Sequence, residues 1–171
     1  MTDSVLYAEQ DKIALITINR PERLNTLTAE VISRVAECVD QATFSDEVAA
    51  IVLRGAGPNV SAGYDLVDFL ANNDGSDGPI WDPVRDYQSM SANVRSFMKV
   101  WECPKPVVAE ISGWAIGGAT DLLLCADLLF MADDAQIGYA PSRIYGTPTT
   151  MMWIHRIGLE PVSYTHLRAH E

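Results

Sequence analysis

Two short stretches carry residues whose types and spacing could do chemistry, Ser61-Ala-Gly-Tyr-Asp-Leu66 and Trp114-Ala-Ile-Gly-Gly-Ala119. In each, small residues end a strand, a glycine-containing turn follows, and a helix opens just beyond. Glycine lets the main chain approach a ligand with no Cβ in the way, and a helix N-terminus presents unpaired N–H groups with a partial positive charge. Such turns suit the holding of a phosphate or an oxyanion. One alone would be ordinary punctuation, whereas two together argue for converging N–H donors. Asp121 falls in the first turn of the helix after Gly117-Gly118. There it either acts on a ligand or simply favours the helix dipole, an effect of about 0.3–1 kcal/mol. Asp65 is read first as the cap of its own helix.

Other chemistries fail on their residues. Gly55-Ala-Gly-Pro-Asn-Val60 opens like a dinucleotide turn but lacks the third glycine and carries Pro58. No G-x-S-x-G elbow is present, and His155, in a late helix, has no triad around it. His166 and His170 have a spacing that could suit a metal but lie in an aperiodic tail, so no metal site is assigned. Cys38, Cys103 and Cys125 are odd in number and widely spaced, against a disulfide framework or zinc site. The formal charge of −11 argues against nucleic acid and anionic membrane surfaces as partners. The first 11 residues lack the pattern of a signal peptide, and no apolar run approaches the ~18 residues of a membrane span. These features are read as those of a cytoplasmic protein. A chain of 171 residues fits one domain of roughly 100–200 residues.

The elements that must position the two turns follow from periodicity. Strands are expected over 12–19, 49–54 and 107–112, with an apolar segment at 128–132 and a short piece at 135–138. Thr28 should cap a helix running to about Thr43 with Val31, Val35, Val39 and Ala42 inward. A second long helix over 86–101 should bury Tyr87, Met90, Val94, Phe97 and Trp101, and a third should span 148–158 with Met151, Met152 and Trp153 in the core. The Gly-, Pro- and Asp-rich run over 72–83 reads as a surface loop. Strands alternating with helices argue for the α/β class. The core domain is read as 1–160. Pro161 is expected to break the helix beginning at 158–160, and 161–171 reads as a non-native tail.

Three motifs in order and register, Leu15-Ile-Thr-Ile-Asn-Arg-Pro-Glu-Arg-Leu-Asn25, Ser61–Leu66, and Gly113–Leu122 with Cys125-Ala-Asp127, resemble the crotonase (enoyl-CoA hydratase/isomerase) superfamily over about residues 5 to 160. The resemblance implies an α/β fold, a crotonase-like ββα spiral, here missing the C-terminal helices that roof the acyl pocket and build trimers. Apolar surface meant for those helices should then be exposed. It implies an acyl-CoA substrate and no other cofactor, and assembly as a homotrimer or dimer of trimers. The N–H groups of Tyr64 and Gly118 would form the oxyanion hole, with Asp121 as acid or base. Arg23, Leu24, Ala62, Asp65, Leu66 and Gly117 would contact the substrate, with Arg20 nearby. Read without the resemblance, Arg20 and Arg23 are a solvated turn. Family hydratases carry two glutamates, and the matching positions here are Asp121 and Pro141. Proline does no acid or base chemistry, so a binding protein or inactive fragment is the alternative to an enzyme. Tyr139 and Arg143 either line the acyl pocket or are structural.

Overall fold

The computed structural model describes residues 3–71, 82–144 and 146–162. Most of the loop expected over 72–83, and His166 and His170 in the tail, lie outside the described residues.

The chain opens with a hairpin. β1 (Val5–Gln10) runs antiparallel to β2 (Ile13–Ile18), joined by Asp11 and Lys12, both with positive φ, as a two-residue turn requires. No strand is expected at β1 from the sequence, because of its six residues only Val5 is buried and no alternation shows. As an edge strand it depends on pairing with β2. Thr28 then caps α1 (Ala29–Phe44), its side chain accepting from Val31 N at 3.3 Å. The inward face holds the expected Val31, Val35, Val39 and Ala42, joined by Ile32, Ala36 and Cys38.

β3 (Ala50–Gly55), β4 (Val107–Ile111) and β6 (Leu128–Met131) extend the sheet in parallel, giving five strands in the order β1-β2-β3-β4-β6. A second layer is made of shorter pieces. β5 (Trp114–Ile116) pairs in parallel with β7 (Gln136–Gly138), Ser61 bridges Ala115, and Leu27 bridges Tyr64. Each turn of chain therefore lays one strand in the large sheet, then one short extended piece in the second layer, then a helix. This is the ββα spiral. Its repeat lies in the hydrogen-bond pattern rather than in residue identities, and for that reason it leaves no repeat in the sequence.

The helices of the later turns are α2 (Leu66–Ala71), α3 (Pro83–Trp101), α4 (Gly118–Leu123) and α5 (Met152–Ile157). Between sheet and helices lie the fully buried Ile16, Ile18, Ile51, Leu53, Phe97, Ile111, Leu122 and Leu123. Several expectations are corrected. Although α3 has the expected apolar spacing, Tyr87 and Trp101 are exposed, since only its C-terminal half meets α1 and the core and only Phe97 and Val100 are fully covered. The helix expected over 148–158 shrinks to Met152–Ile157, because Met151 stands before it in a left-handed conformation and points to solvent. Pro161 does not end a helix. Residues 159–162 are helical, with the proline in the first turn, where its missing N–H costs nothing. On β6, Leu128, Phe130 and Met131 are exposed, leaving apolar surface uncovered. Cys38, Cys103 and Cys125 are free thiols. Among the described residues no helix is long and apolar enough to cross a membrane.

Candidate functional site

The two glycine turns meet in the second layer. Ser61 N donates to Trp114 O at 3.0 Å, and Ile116 N donates back to Ser61 O at 3.2 Å. A Cβ added to Gly63 would stand 3.3 Å from Gly118 N, so Tyr64 and Gly118 sit on adjoining strips of main chain. Among the described residues, neither Tyr64 N nor Gly118 N has a hydrogen-bond partner. Gly118 N opens α4, whose preceding residue, Gly117, has φ 56° and ψ −124°, a conformation that residues with a Cβ avoid. Two adjacent donors with no internal partner are what a developing oxyanion requires.

The ring of Tyr64 lies directly on Gly118. A Cβ on Gly118 would stand 2.9 Å from Tyr64 Cζ and closer still to Cε2 and Cδ2. Gly118→Ala is therefore expected to destabilise the fold by about 1–3 kcal/mol through overpacking, read as a lower midpoint in denaturant. An unchanged midpoint would mean that the ring gives way freely.

Asp121, the third residue after Gly118, is fully buried. Its carboxylate accepts from Thr149 N and Thr149 Oγ1, each at 3.0 Å, and from Thr150 Oγ1 at 3.5 Å. Burial pushes its carboxyl upward from the ordinary range, and the threonine hydrogen bonds only partly oppose this. A carboxyl so placed is suited to accept a proton and return it. Burial and then the charge of Asp121 hold both Tyr64 and Tyr139 protonated, well above the usual phenol range. The Tyr139 hydroxyl donates to Thr147 O at 2.8 Å. Pro141 packs against this turn, its Cγ 3.5 Å from where a Cβ of Gly117 would be. Pro141, which the resemblance sets at the second carboxylate position, thus stands beside Gly117. Arg143 is exposed.

The first motif folds against the second. Pro21–Arg23 form a 3-10 turn, after which Leu24 and Asn25 take left-handed conformations, φ 52° and 53°. Asn25, buried, holds this strained pair by donating to Ala56 O and Asn59 O and by accepting from Arg20 N. Leu24 O accepts from Ala62 N at 3.0 Å, which sets those two residues side by side. The turn is solvated at Arg23 and Leu24, as the residues alone suggest, but it is also tethered. The guanidinium groups of Arg20 and Arg23 reach Asp65 at 3.1 and 3.4 Å. Asp65 also caps α2 by accepting from Asp68 N at 3.1 Å, as its sequence position suggests. Leu66, at the start of α2, is exposed. The structure thus gathers Tyr64, Gly117, Gly118 and Asp121 in one group and Arg23, Leu24, Ala62 and Asp65 in another beside it. Thr149 and Thr150, which grip Asp121, carry no signal in the sequence, since nothing local marks a contact 28 residues away. His155 is exposed with its ring 4.9 Å from that of Trp101, away from both groups.

A family profile described as Enoyl-CoA hydratase/isomerase matches residues 8–171. Among curated proteins, the chain is 32% identical over 149 residues to the 1,2-epoxyphenylacetyl-CoA isomerase of Escherichia coli, covering 84% of this chain and 53% of that protein. It is 31% identical over 134 residues to the mitochondrial Delta(3,5)-Delta(2,4)-dienoyl-CoA isomerase of Mus musculus, covering 74% and 39% respectively. Among solved structures, an enoyl-CoA hydratase from Mycobacterium smegmatis is 35% identical and superposes with a TM-score of 0.87, covering 99% of this chain and 60% of that one. An enoyl-CoA hydratase/isomerase from Xanthobacter autotrophicus Py2, 26% identical, superposes with a TM-score of 0.88 and covers 100% and 61%. The chain spans about half the length of the curated relatives it matches.

Proposed function

Because this chain belongs to the enoyl-CoA hydratase/isomerase family and has the crotonase fold, we propose that it shifts a carbon–carbon double bond in an acyl-CoA thioester rather than adding water across one. The observation that carries this reading is the pairing of buried Asp121 with Pro141, whose ring stands against Gly117. Hydration in the manner of family hydratases uses two carboxyl groups. A double-bond shift needs only one group that takes a proton and gives it back.

In the proposed reaction the thioester oxygen lies against Tyr64 N and Gly118 N. The Asp121 carboxylate removes a proton from the α-carbon of a β,γ-unsaturated thioester, and the electron pair delocalises onto the thioester oxygen as a dienolate. The two N–H groups stabilise that charge, each worth about 2.7–4 kcal/mol of barrier by comparison with other oxyanion holes. The protonated Asp121 then delivers its proton to the γ-carbon, leaving the conjugated α,β-unsaturated thioester. Atoms and charge balance with no second acid.

Arg20 and Arg23, beside Leu24 and Ala62, share the single charge of Asp65 and so leave a local positive excess in an otherwise acidic protein, which suits the phosphates of coenzyme A. Two of the relatives are named as isomerases acting on acyl-CoA thioesters, which favours turnover over binding alone. Assembly into a homotrimer or a dimer of trimers belongs to the same reading, supported by the exposed apolar side chains of β6. So does a cytoplasmic location, supported by three free thiols.

The test is to incubate the protein separately with 3-hexenoyl-CoA and crotonyl-CoA, following the appearance of conjugated thioester in the first and its loss in the second. The expected result is conjugation of 3-hexenoyl-CoA with hydration of crotonyl-CoA at least about 100-fold slower, the scale of a missing acid–base group. Hydration without conjugation would overturn the assignment.

A further inference from the structure

The peptide that joins Gly117 to Gly118 has Gly117 O at one end and, at the other, the Gly118 N–H that serves as oxyanion donor in the reaction above. The unit is planar, so whatever fixes the carbonyl also aims the N–H. A peptide between two glycines meets little steric resistance to turning over, because neither flanking residue has a Cβ. Turned over, it would point Gly118 N–H away from the site. Here its carbonyl is held twice, accepting from Thr120 N at 2.9 Å and from Thr120 Oγ1 at 2.7 Å.

The Thr120 hydroxyl is held in turn. Trp153 Nε1 donates to Thr120 Oγ1 at 3.0 Å. The direction of this chain follows from the groups in it. An indole N–H only donates and a carbonyl only accepts, so the hydroxyl between them accepts from Trp153 and gives its one proton to Gly117 O. Bonds in series polarise one another, by about 10–30% per bond, and the full burial of Thr120 keeps water from competing. A threonine that bonds back to a carbonyl in the preceding turn is ordinary within a helix. This carbonyl, however, belongs to Gly117, which stands before α4 with φ 56° and ψ −124°. The hydroxyl is also tied to a side chain 33 residues further along.

We propose that Thr120 and Trp153 are positioning residues, which through the chain from Trp153 Nε1 to Thr120 Oγ1 to Gly117 O hold the next N–H on the thioester oxygen and strengthen it as a donor. The proposal rests on the reading of Gly118 N as an oxyanion donor. Trp153 lies on α5, and Thr149 and Thr150 just ahead of that helix grip Asp121. One late segment of the chain thus sets both the oxyanion donor and the group that carries the proton.

The test is isotope-edited infrared spectroscopy of butanoyl-CoA, labelled at the thioester carbonyl, bound to the unsubstituted protein, Trp153→Phe, Thr120→Val and Thr120→Ser. A carbonyl stretch falls in frequency as the donors to its oxygen strengthen, and only the bound band is read, so a loss of affinity or stability does not move it. The expected result is a downshift on binding that shrinks by about 10–30% in Trp153→Phe and shrinks further in Thr120→Val. In Thr120→Ser, which keeps the hydroxyl, it should return to the unsubstituted value. A full downshift in Trp153→Phe or Thr120→Val, or a Thr120→Ser band like that of Thr120→Val, overturns the positioning role and leaves the oxyanion reading standing. Where Thr120→Val does not fold, Trp153→Phe decides alone. No downshift in the unsubstituted protein, or no bound thioester at all, overturns both.

Discussion

Asp121→Asn is expected to lower turnover by about 10²–10⁴-fold, the usual contribution of a positioned general acid–base group, while making the protein more stable at neutral pH. The two effects have one origin. Asparagine keeps an acceptor for Thr149 N, and its amide can donate to Thr149 Oγ1, so the hydrogen bonds at 3.0 Å have replacements. What is lost is the buried charge. Since burial raises the Asp121 carboxyl above its unfolded value, its contribution to stability is fully present below about pH 4, where it is protonated in both states. That contribution is lost as pH rises through the folded value, because the folded protein must then bury an anion. Thermal unfolding of both proteins from pH 4 to pH 8 isolates the effect, since every other group cancels in the difference. The gap should open in favour of Asp121→Asn as pH rises. A variant less stable at neutral pH would show that Thr149 and Thr150 hold the carboxylate more firmly than burial opposes it.

What could be read from the sequence is what depends on neighbours along the chain. Gly117-Gly118 before a helix, Thr28 before α1 and the β-branched run at β2 each report a local backbone requirement, and the structure places each as expected. That main-chain N–H groups converge at the site was legible for the same reason, whereas the choice of Tyr64 and Gly118 among them came from the resemblance. Long-range side-chain contacts were not legible. Nothing near Asp121 announces Thr149, and nothing near Gly118 announces the ring of Tyr64 lying on it. That Arg20 and Arg23 tie their solvated turn to Asp65 was not legible, because that carboxylate lies 45 and 42 residues away. Tyr87 and Trp101 were misplaced for the converse reason. Apolar spacing records which helix face could be buried, and α3 is longer than the part of it that meets the core.

Asp65→Ala should be the most destabilising of the substitutions considered, costing about 2–4 kcal/mol. That is somewhat below the ~3–5 expected on breaking a fully buried pair, because the side chain of Arg23 is 45% exposed. Asp65 gathers four donors, Arg20 Nη2, Arg23 Nη2, Thr26 Oγ1 at 2.9 Å and Asp68 N. Alanine leaves all four without it and removes the cap of α2. Burial alone would raise this carboxyl, but the bonds from Asp68 N, Thr26 and Arg20 and the charge of Arg23 outweigh it and hold the value at about 2. Its linkage is opposite to that of Asp121. The ionised form stabilises the fold above the ordinary carboxylate value of about 3.9, and this is lost as pH falls through about 2. Asp65→Asn should accordingly be less stable than the unsubstituted protein at pH 7, with the gap closing between about pH 4 and pH 2 when followed by denaturant unfolding. A gap constant with pH would mean that geometry, not charge, is what Asp65 contributes. Two aspartates in adjoining groups are thus pushed in opposite directions by their surroundings. The one held ionised by arginines ties the first motif to the second, and the one pressed toward its protonated form is the one suited to carry a proton.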